Sequence, residues 1–262
     1  MSPKPIYQTQ VEQLPVSVFQ SNEEMGTTAA YDASQIIQAA VHEKGVANII
    51  IATGNSQLTF LSALRLDKQI PWDKVNVFHM DEYIGIDPAH PASFPLFLSK
   101  HLLDYVHVRN FYPVSGRAYE IESTIAEYAR LLRAHPADLC ALGYGENGHL
   151  AFNDPPFADF QDPVLAKVVR LAEASRRQQV GEGHFSTLDD VPTHAITLTV
   201  PALLAAKRVL AIVPEERKAD AVRQALTGPI EEACPGSILR RIPHARLYLD
   251  RDSASKAFPT LK

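Results

Sequence analysis

The chain has 262 residues, of which 46% are hydrophobic and 21% are charged, and its formal net charge is −5. That length suits one large α/β domain, so we expect a single domain over residues 1–262. Because the net charge is negative and no basic block is present, neither nucleic acid nor an acidic membrane surface is an expected partner.

The cysteines and the N-terminal segment favour a reducing, cytoplasmic location. Cys140 lies in an apolar run and Cys234 precedes a proline far along the chain, so neither a disulfide framework nor a metal site is indicated. The chain opens on no apolar run of signal length, and no segment approaches the roughly 20 apolar residues of a membrane span. The histidines are scattered without the spacing of metal ligands, so no metal is expected.

The first half of the chain alternates strands with helices. A short alternating stretch over residues 16–19 predicts an edge strand. Capping chemistry at Ser21 and a helical repeat of apolar residues predict a helix over 22–44, which Gly45 ends. Further strands are predicted at 46–52, 75–80 and 111–112, and further helices from near Leu58, over 91–103 and over 121–134.

The second half continues the alternation. Strands are predicted at 138–142, 167–171, 194–200, 208–213 and 245–250, with a helix over 215–226. The polar, glycine-containing segment over 172–190 predicts a mobile loop or lid. Strands that alternate with helices predict an α/β fold, a Rossmann-like sandwich in which helices flank a mostly parallel central sheet.

One turn between a predicted strand and a predicted helix has the form of an anion site. Thr53, Gly54, Asn55, Ser56 and Gln57 present backbone N–H groups at a helix N-terminus, although an ordinary strand-to-helix turn would read the same way. The turn lacks the spaced glycines and the lysine of a nucleotide-binding loop, and no nicotinamide or flavin fingerprint is present. We therefore expect no cofactor.

Polar residues also follow the strand at 138–142. Three glycines in six residues exclude a regular helix or strand there, and the segment over 143–155 carries Asn147, His149 and Asp154. Titratable groups at the carboxyl end of a strand lie where open α/β sheets bind ligands. On these residues alone, a glycine-rich turn with incidental polar side chains fits equally well.

Two adjacent acids, Asp81 and Glu82, follow directly at the carboxyl end of the strand at 75–80. Successive side chains diverge at a strand end, so at most one of the two acids is expected to face a site. The alternative is an acidic cap or a solvated loop.

Together these loops resemble the glucosamine-6-phosphate deaminase family, within the larger group that includes 6-phosphogluconolactonases. The resemblance is carried by Thr53-Gly54-Asn55-Ser56, by the stretch from Phe78 to Gly85, by His90-Pro91-Ala92-Ser93-Phe94, and by the stretch from Gly148 to Pro155. Lactonases typically have Asp-Glu-Arg where this chain has Asp81-Glu82-Tyr83, and they lack its Ala-Phe-Asn-acid-Pro continuation. On both counts the sequence resembles the deaminases.

The resemblance implies an aldose–ketose isomerase and deaminase that converts glucosamine 6-phosphate and water to fructose 6-phosphate and ammonia. It implies Asp81 as the general base between C2 and C1, and His149 as the group that opens the sugar ring. Asp154 stands where the family usually has Glu, and Asn147 stands where many members have Asp. We therefore expect Asp154 to supply the charge beside His149, with Asn147 orienting the ring.

The resemblance also implies how the sugar phosphate is held. The phosphate should lie on the turn over 53–57, and Lys218 matches the family's phosphate lysine at the start of a helix. Glu82 and Gly148 belong to the same motifs and complete the expected substrate contacts. The family's phosphate arginine has no clean counterpart, which leaves Arg176 and Arg177 as candidates.

Two other functions stay open on the sequence. A 6-phosphogluconolactonase-type hydrolase would use His149 as a base on a phosphorylated sugar lactone. A non-catalytic sugar-phosphate sensor is the second alternative, because positions 147 and 154 depart from the family pattern. The sequence also leaves open a homo-oligomer.

Overall fold

The computed structural model describes residues 2–117, 119–155 and 157–261. Its strands are β1 Tyr7–Val11, β2 Leu14–Phe19, β3 Ala47–Ile51, β4 Val75–His79, β5 Asp81–Tyr83, β6 Asn110–Tyr112, β7 Leu139–Leu142, β8 Ala166–Arg170, β9 His194–Leu198, β10 Arg208–Val213 and β11 Ala245–Asp250. Its helices are α1 Asn22–Lys44, α2 Leu58–Leu66, α3 Phe94–Leu98, α4 Ile121–Ala134, α5 Glu173–Gly181, α6 Val200–Leu204, α7 Ala219–Thr227 and α8 Arg251–Ala254. Within the described ranges, no helix combines the length and the apolar character needed to cross a membrane.

Eight strands form one large sheet in the order β1-β2-β11-β10-β7-β3-β4-β6. All neighbouring strands are parallel except β1 and β2, which form an antiparallel hairpin. The central strands are mostly apolar because both faces are covered: Ile49 and Ile51 pack toward α1 and α2, and Ile50 packs on the opposite face with Tyr128 of α4. This arrangement confirms the predicted α/β fold with a mostly parallel sheet between helices.

The longest predicted helix is confirmed at both ends. α1 begins after Ser21, whose side chain accepts a hydrogen bond from the Glu24 N–H at 3.2 Å. It ends at Gly45, which has φ 78° and donates its N–H to the Val41 carbonyl at 2.8 Å. A left-handed residue of this kind closes a helix without the strain that a side chain would cause.

A second, three-stranded sheet in the order β5-β9-β8 was not predicted. The chain leaves the large sheet at the end of β4 and, after Met80 alone, enters β5, which pairs antiparallel with β9. Met80 accepts a hydrogen bond from the Leu198 N–H at 2.7 Å. Asp81 therefore begins a second paired strand, where the sequence predicted only the end of the preceding strand.

Two further predictions were wrong. Residues 16–19 belong to an interior strand, because the polar and largely exposed β1 pairs outside β2 and forms the edge. The segment over 172–190 is not a loop throughout, since it contains α5, whose one buried residue is Ser175. Neither β1 nor α5 buries a repeating apolar face, which is the signal that sequence patterns detect.

A ladder of three asparagines fixes the register of β3, β4 and β6. The Asn76 side chain donates to Asn48 Oδ1 at 2.9 Å and accepts from Asn110 Nδ2 at 2.8 Å. Asn48 and Asn76 are buried, so any shift of one strand would leave amide groups unpaired in the sheet. The ladder therefore aligns the ends of β3 and β4, from which the 53–57 turn and Asp81 follow.

We expect Asn76→Ala to lower the free energy of unfolding by about 2 kcal/mol, because it leaves the buried Asn48 Oδ1 without its donor and also removes the bond from Asn110. Asn110→Ala is the matched control and should cost less than about 1 kcal/mol, since water replaces its bond at the exposed edge. Denaturant unfolding measures both values. Equal losses in the two variants would contradict the ladder's role in register.

Candidate active site

The carboxyl ends of β3, β4 and β7 meet at one edge of the large sheet and open into a cleft. It holds about 600 Å³ when its open mouth is included. Seven of the predicted site residues line it, namely Thr53, Gly54, Ser56, Gln57, Asp81, His149 and Lys218. The strand register thus brings together side chains from three separate loops and from the segment after β10.

The five other predicted residues lie outside the cleft lining. Asn147 and Asp154 lie behind His149 and contact it or its backbone. Asn55 donates its side-chain amide to the Glu182 carbonyl at 3.4 Å. Gly148 has φ 81°, and a Cβ there would lie 2.8 Å from Cys234 Sγ, so this glycine serves the turn. Glu82 also turns away from the cleft.

The two adjacent acids diverge, as expected for successive strand residues. Asp81 faces the cleft, whereas Glu82 accepts hydrogen bonds from Ser93 Oγ at 2.8 Å and from the Tyr83 N–H at 2.9 Å. Burial raises the pKa of Asp81 well above its usual range, and the adjacent Glu82 charge raises it further. Burial also raises the pKa of Glu82 to about 7, against the opposing effect of its hydrogen bonds.

The His149 imidazole rests on a buried carboxylate. Its Nδ1 lies 2.9 Å from Asp154 Oδ1 and 3.1 Å from Ser175 Oγ, and Ser175 donates to the same carboxylate oxygen at 2.5 Å. Burial alone would raise the pKa of Asp154, but the His149 charge and the hydrogen bonds from His149, Asn147 and Ser175 hold that pKa below its usual range. An ionised carboxylate only accepts, so Nδ1 carries the proton and Nε2 is left for the cleft.

Two neighbours hold the imidazole in place. Asn147 donates its side-chain amide to Asp154 Oδ1 at 2.8 Å and accepts the His149 backbone N–H at 3.1 Å. The ring lies against Gly145, where a Cβ would come within 2.1 Å of its Cε1 atom. Only glycine permits that approach.

The loop that carries His149 is anchored on the small sheet. Asn153 is fully buried and donates to the Leu150 and Leu198 carbonyls, both at 2.8 Å. The Phe152 N–H donates to Thr197 Oγ1 at 3.1 Å. Because Thr197 also pairs with Asp81 across β9 and β5, the carboxylate and the imidazole share one support.

The opposite end of the cleft contains a buried cation. Lys218 is 2% exposed, and its ammonium makes no hydrogen bond to the described part of the chain. Burial lowers the pKa of Lys218 to about 8, and the positive charge of Arg217 acts in the same direction. A bound anion would relieve this cost, so the ammonium is suited to a phosphate or carboxylate.

Arg217 is already neutralised by three carboxylates. Its guanidinium lies 2.5 Å from Glu182, 2.5 Å from Glu215 and 3.3 Å from Glu146. Glu215 adopts φ 81°, a strained backbone for a residue with a side chain, in the turn just before Lys218.

The two arginines considered from the sequence lie outside the cleft lining. Arg176 donates to the Leu188 carbonyl at 2.5 Å and to the Val191 carbonyl at 2.9 Å, so it fixes the segment after α5. Arg177 is exposed and pairs with Glu173 at 2.5 Å. Neither guanidinium lines the cleft.

Sequence reasoning missed the contribution of α5 and the segment after it. Gln178, Gln179 and Glu182 line the cleft, and Ser175 contacts the imidazole. The segment is further held by Phe185, whose ring stacks on His90 with centroids 5.1 Å apart. The polar run gave no periodic signal, so its position over the site could not be read from the sequence.

In the described parts of the chain, no group of three or more His, Cys, Asp or Glu side chains is placed to hold a metal ion. The groups available for chemistry in the cleft are a carboxylate, an imidazole and an ammonium, each carried by a segment that follows a strand of the parallel sheet. That arrangement defines an α/β protein with an enzyme-like site for a small anionic molecule.

Comparison with known sequences assigns the family. The family described as glucosamine-6-phosphate isomerases/6-phosphogluconolactonase matches residues 20–248, and the chain belongs to it. Glucosamine-6-phosphate deaminases of Bacillus thuringiensis (strain Al Hakam) and Bacillus anthracis (strain A0248) are each 33% identical over 221 residues. That match covers 84% of this chain and 82% of each relative.

Solved structures agree with this assignment. A monomeric glucosamine-6-phosphate deaminase superposes with a TM-score of 0.83 and 27% identity, covering 92% of this chain and 99% of that one. The 6-phosphogluconolactonase of Trypanosoma brucei superposes with a TM-score of 0.75 at 16% identity, covering 95% of this chain and 99% of that one. The second likeness shows the shared fold alone.

We expect Lys218→Met to raise the free energy of unfolding by about 2 kcal/mol at pH 7, because the folded protein then no longer buries an ammonium. The folded pKa of about 8 lies below the ordinary 10.5, so the penalty is fully present below pH 8 and is lost as the pH rises to 10.5. The stability difference between the two proteins should shrink across that window.

Unfolding in denaturant at several pH values measures this difference. Lys68→Met, at an exposed lysine, is the matched control and should show no such dependence. A Lys218→Met protein that is less stable than wild type at pH 7 would contradict the burial cost.

Proposed function

We propose that the protein is a glucosamine-6-phosphate deaminase, an aldose–ketose isomerase that converts glucosamine 6-phosphate and water to fructose 6-phosphate and ammonia. One observation carries the proposal: Asp81 and His149 line the same cleft whose wall also contains Lys218 and the 53–57 turn. The site thus pairs acid–base groups with an anion-binding end. The deaminase names of the sequence relatives support the same activity.

The first step is ring opening, which we assign to His149. Asp154 and Ser175 face its Nδ1, so Nε2 is the nitrogen that can exchange a proton with the ring oxygen. Asp154 supplies the negative charge that stabilises the imidazolium, and Asn147 orients the loop without adding charge. With this division of roles, the site can work with an uncharged residue at position 147, because Asp154 supplies the carboxylate beside His149.

The second step is proton transfer between C2 and C1, which we assign to Asp81. Its raised pKa makes the carboxylate a stronger base than an exposed aspartate. Once the proton has moved from C2 to C1, carbon 2 is an imine. Water adds to this imine and ammonia leaves, which gives the ketose.

The phosphate is assigned to the opposite end of the cleft. The 53–57 turn precedes α2 and offers backbone N–H groups, and the Lys218 ammonium supplies the positive charge. Gln57 holds the turn through a hydrogen bond from its side chain to the Ile212 carbonyl, 3.2 Å long. Sugar carbon 6 would then lie at this end, with carbons 1 and 2 beside Asp81.

The environment of Tyr83 disfavours the lactonase alternative. Its ring is fully buried, with Phe94, Phe152 and Phe185 within 5.0 to 5.5 Å between ring centroids. Lactonases typically have arginine here, whereas this chain fills the position with a ring that packs against three other rings. The aromatic cluster therefore suits the deaminase.

Release of ammonia from glucosamine 6-phosphate tests the proposal. Galactosamine 6-phosphate and 6-phosphogluconolactone serve as parallel substrates in the same assay series. We expect turnover of the first compound, a loss of about 10³-fold in kcat for Asp81→Asn and His149→Gln, and little lactone hydrolysis. The acid–base variants should still bind the sugar phosphate.

Each other result has a distinct meaning. Faster lactone hydrolysis than ammonia release would replace the deaminase with a lactonase. Saturable binding of glucosamine 6-phosphate with no ammonia release would make the protein a sensor. Full activity of Asp81→Asn would remove the assigned base.

The pH profile of kcat/KM should report the environment of Asp81. Its pKa is raised above 3.8, so activity should fall at a higher pH than for an ordinary aspartate. Glu82→Gln removes the neighbouring charge and should move this acid limb down by roughly one pH unit. The exposed Asp104→Asn is the control and should leave the limb unchanged. An upward shift in Glu82→Gln would contradict the assignment.

A further inference from the structure

Helix α5 covers the cleft with a single apolar contact, that of the half-buried Val180 against the cluster around Tyr83. Of its nine residues, only Ser175 is buried, and the remainder are exposed or half-buried. Helices of globular proteins normally dock by burying a stripe of apolar side chains. With one apolar contact only, α5 depends for its position largely on polar contacts, and the most buried of these is at Ser175.

The Ser175 hydroxyl joins the two groups of the proposed ring-opening site. It donates to Asp154 Oδ1 at 2.5 Å and lies 3.1 Å from His149 Nδ1. Because Asp154 Oδ1 also accepts from the imidazole and from Asn147, one oxygen receives three donors. Only the Ser175 donor comes from outside the loop over 143–155.

We infer that Ser175 is a positioning residue: its hydroxyl docks α5 on the His149–Asp154 pair and thereby holds the imidazole in the orientation that ring opening requires. This inference rests on the proposed function for its catalytic part. Ser175 does not line the cleft, so it acts through His149 and not on the sugar. Docking of α5 also places Gln178 and Gln179 on the cleft wall.

The inference couples docking of α5 over the cleft with alignment of the His149 imidazole. When α5 is docked, the cleft is covered and Asp154 Oδ1 has all three of its donors. When α5 lifts, Asp154 loses one donor and the imidazole loses a contact on its Nδ1 side. Alignment of the proton-transfer group is thus tied to coverage of the substrate.

Two substitutions at position 175 test the inference in full-length protein. Ser175→Ala should lower kcat for ammonia release about tenfold with KM within about twofold, because a charge-assisted hydrogen bond is lost away from the bound sugar. Ser175→Thr keeps the hydroxyl and should retain most of kcat. Glu173→Ala, on the exposed face of the same helix, should behave as wild type.

Hydrogen–deuterium exchange without substrate gives a readout independent of activity. Amide exchange over residues 173–181 should rise about fivefold in Ser175→Ala and stay near wild type in Ser175→Thr and Glu173→Ala. An inactive wild-type protein would overturn the proposed function, and the exchange result would still decide the docking role. Unchanged kcat or unchanged exchange in Ser175→Ala, or equal losses in Ala and Thr, would overturn the inference.

Discussion

A single buried carboxylate, that of Asp154, ties the parts of the cleft together. An ionised group with no exposure to water is tolerated only when donors replace its hydration. Those donors come from Asn147 and His149 in its own loop and from Ser175 in α5, so the loop and the helix both fold around one charge. The sharp turn at Gly145, which brings the imidazole against the backbone, follows from the same requirement.

The cleft contains groups that the fold holds at a cost to its stability. Burial disfavours the charged form of Asp81 at one end and of Lys218 at the other, and Glu215 adopts a strained backbone beside the lysine. Binding and acid–base chemistry need such groups in a partly dry site, whereas folding alone would not keep them. The two apolar layers on either side of the large sheet offset this cost.

The sequence predicts those helices and strands that bury a periodic apolar face. The helix over 22–44, the helix over 121–134 and the central strands carry such patterns, and the structure confirms them. β5 has three residues, two of them acids, and α5 buries only Ser175. Neither element therefore has an apolar pattern that the sequence could reveal. The loops that meet at the cleft could be located from their family resemblance. The contacts of Arg217 and Ser175 depend on tertiary geometry, which spacing along the chain does not encode.

The stacking of Phe185 on His90 has a mechanical consequence. His90 belongs to the turn after β5 and Phe185 to the segment after α5, so this contact bridges the two rims of the cleft. Phe185 also meets Tyr83 edge-on in the aromatic cluster, which fastens the bridge to the small sheet. Neither segment can move away from the cleft unless the His90–Phe185 contact breaks or the other segment moves with it. Any opening of the cleft along this side, for entry of the sugar phosphate or for release of a product, would therefore involve both segments.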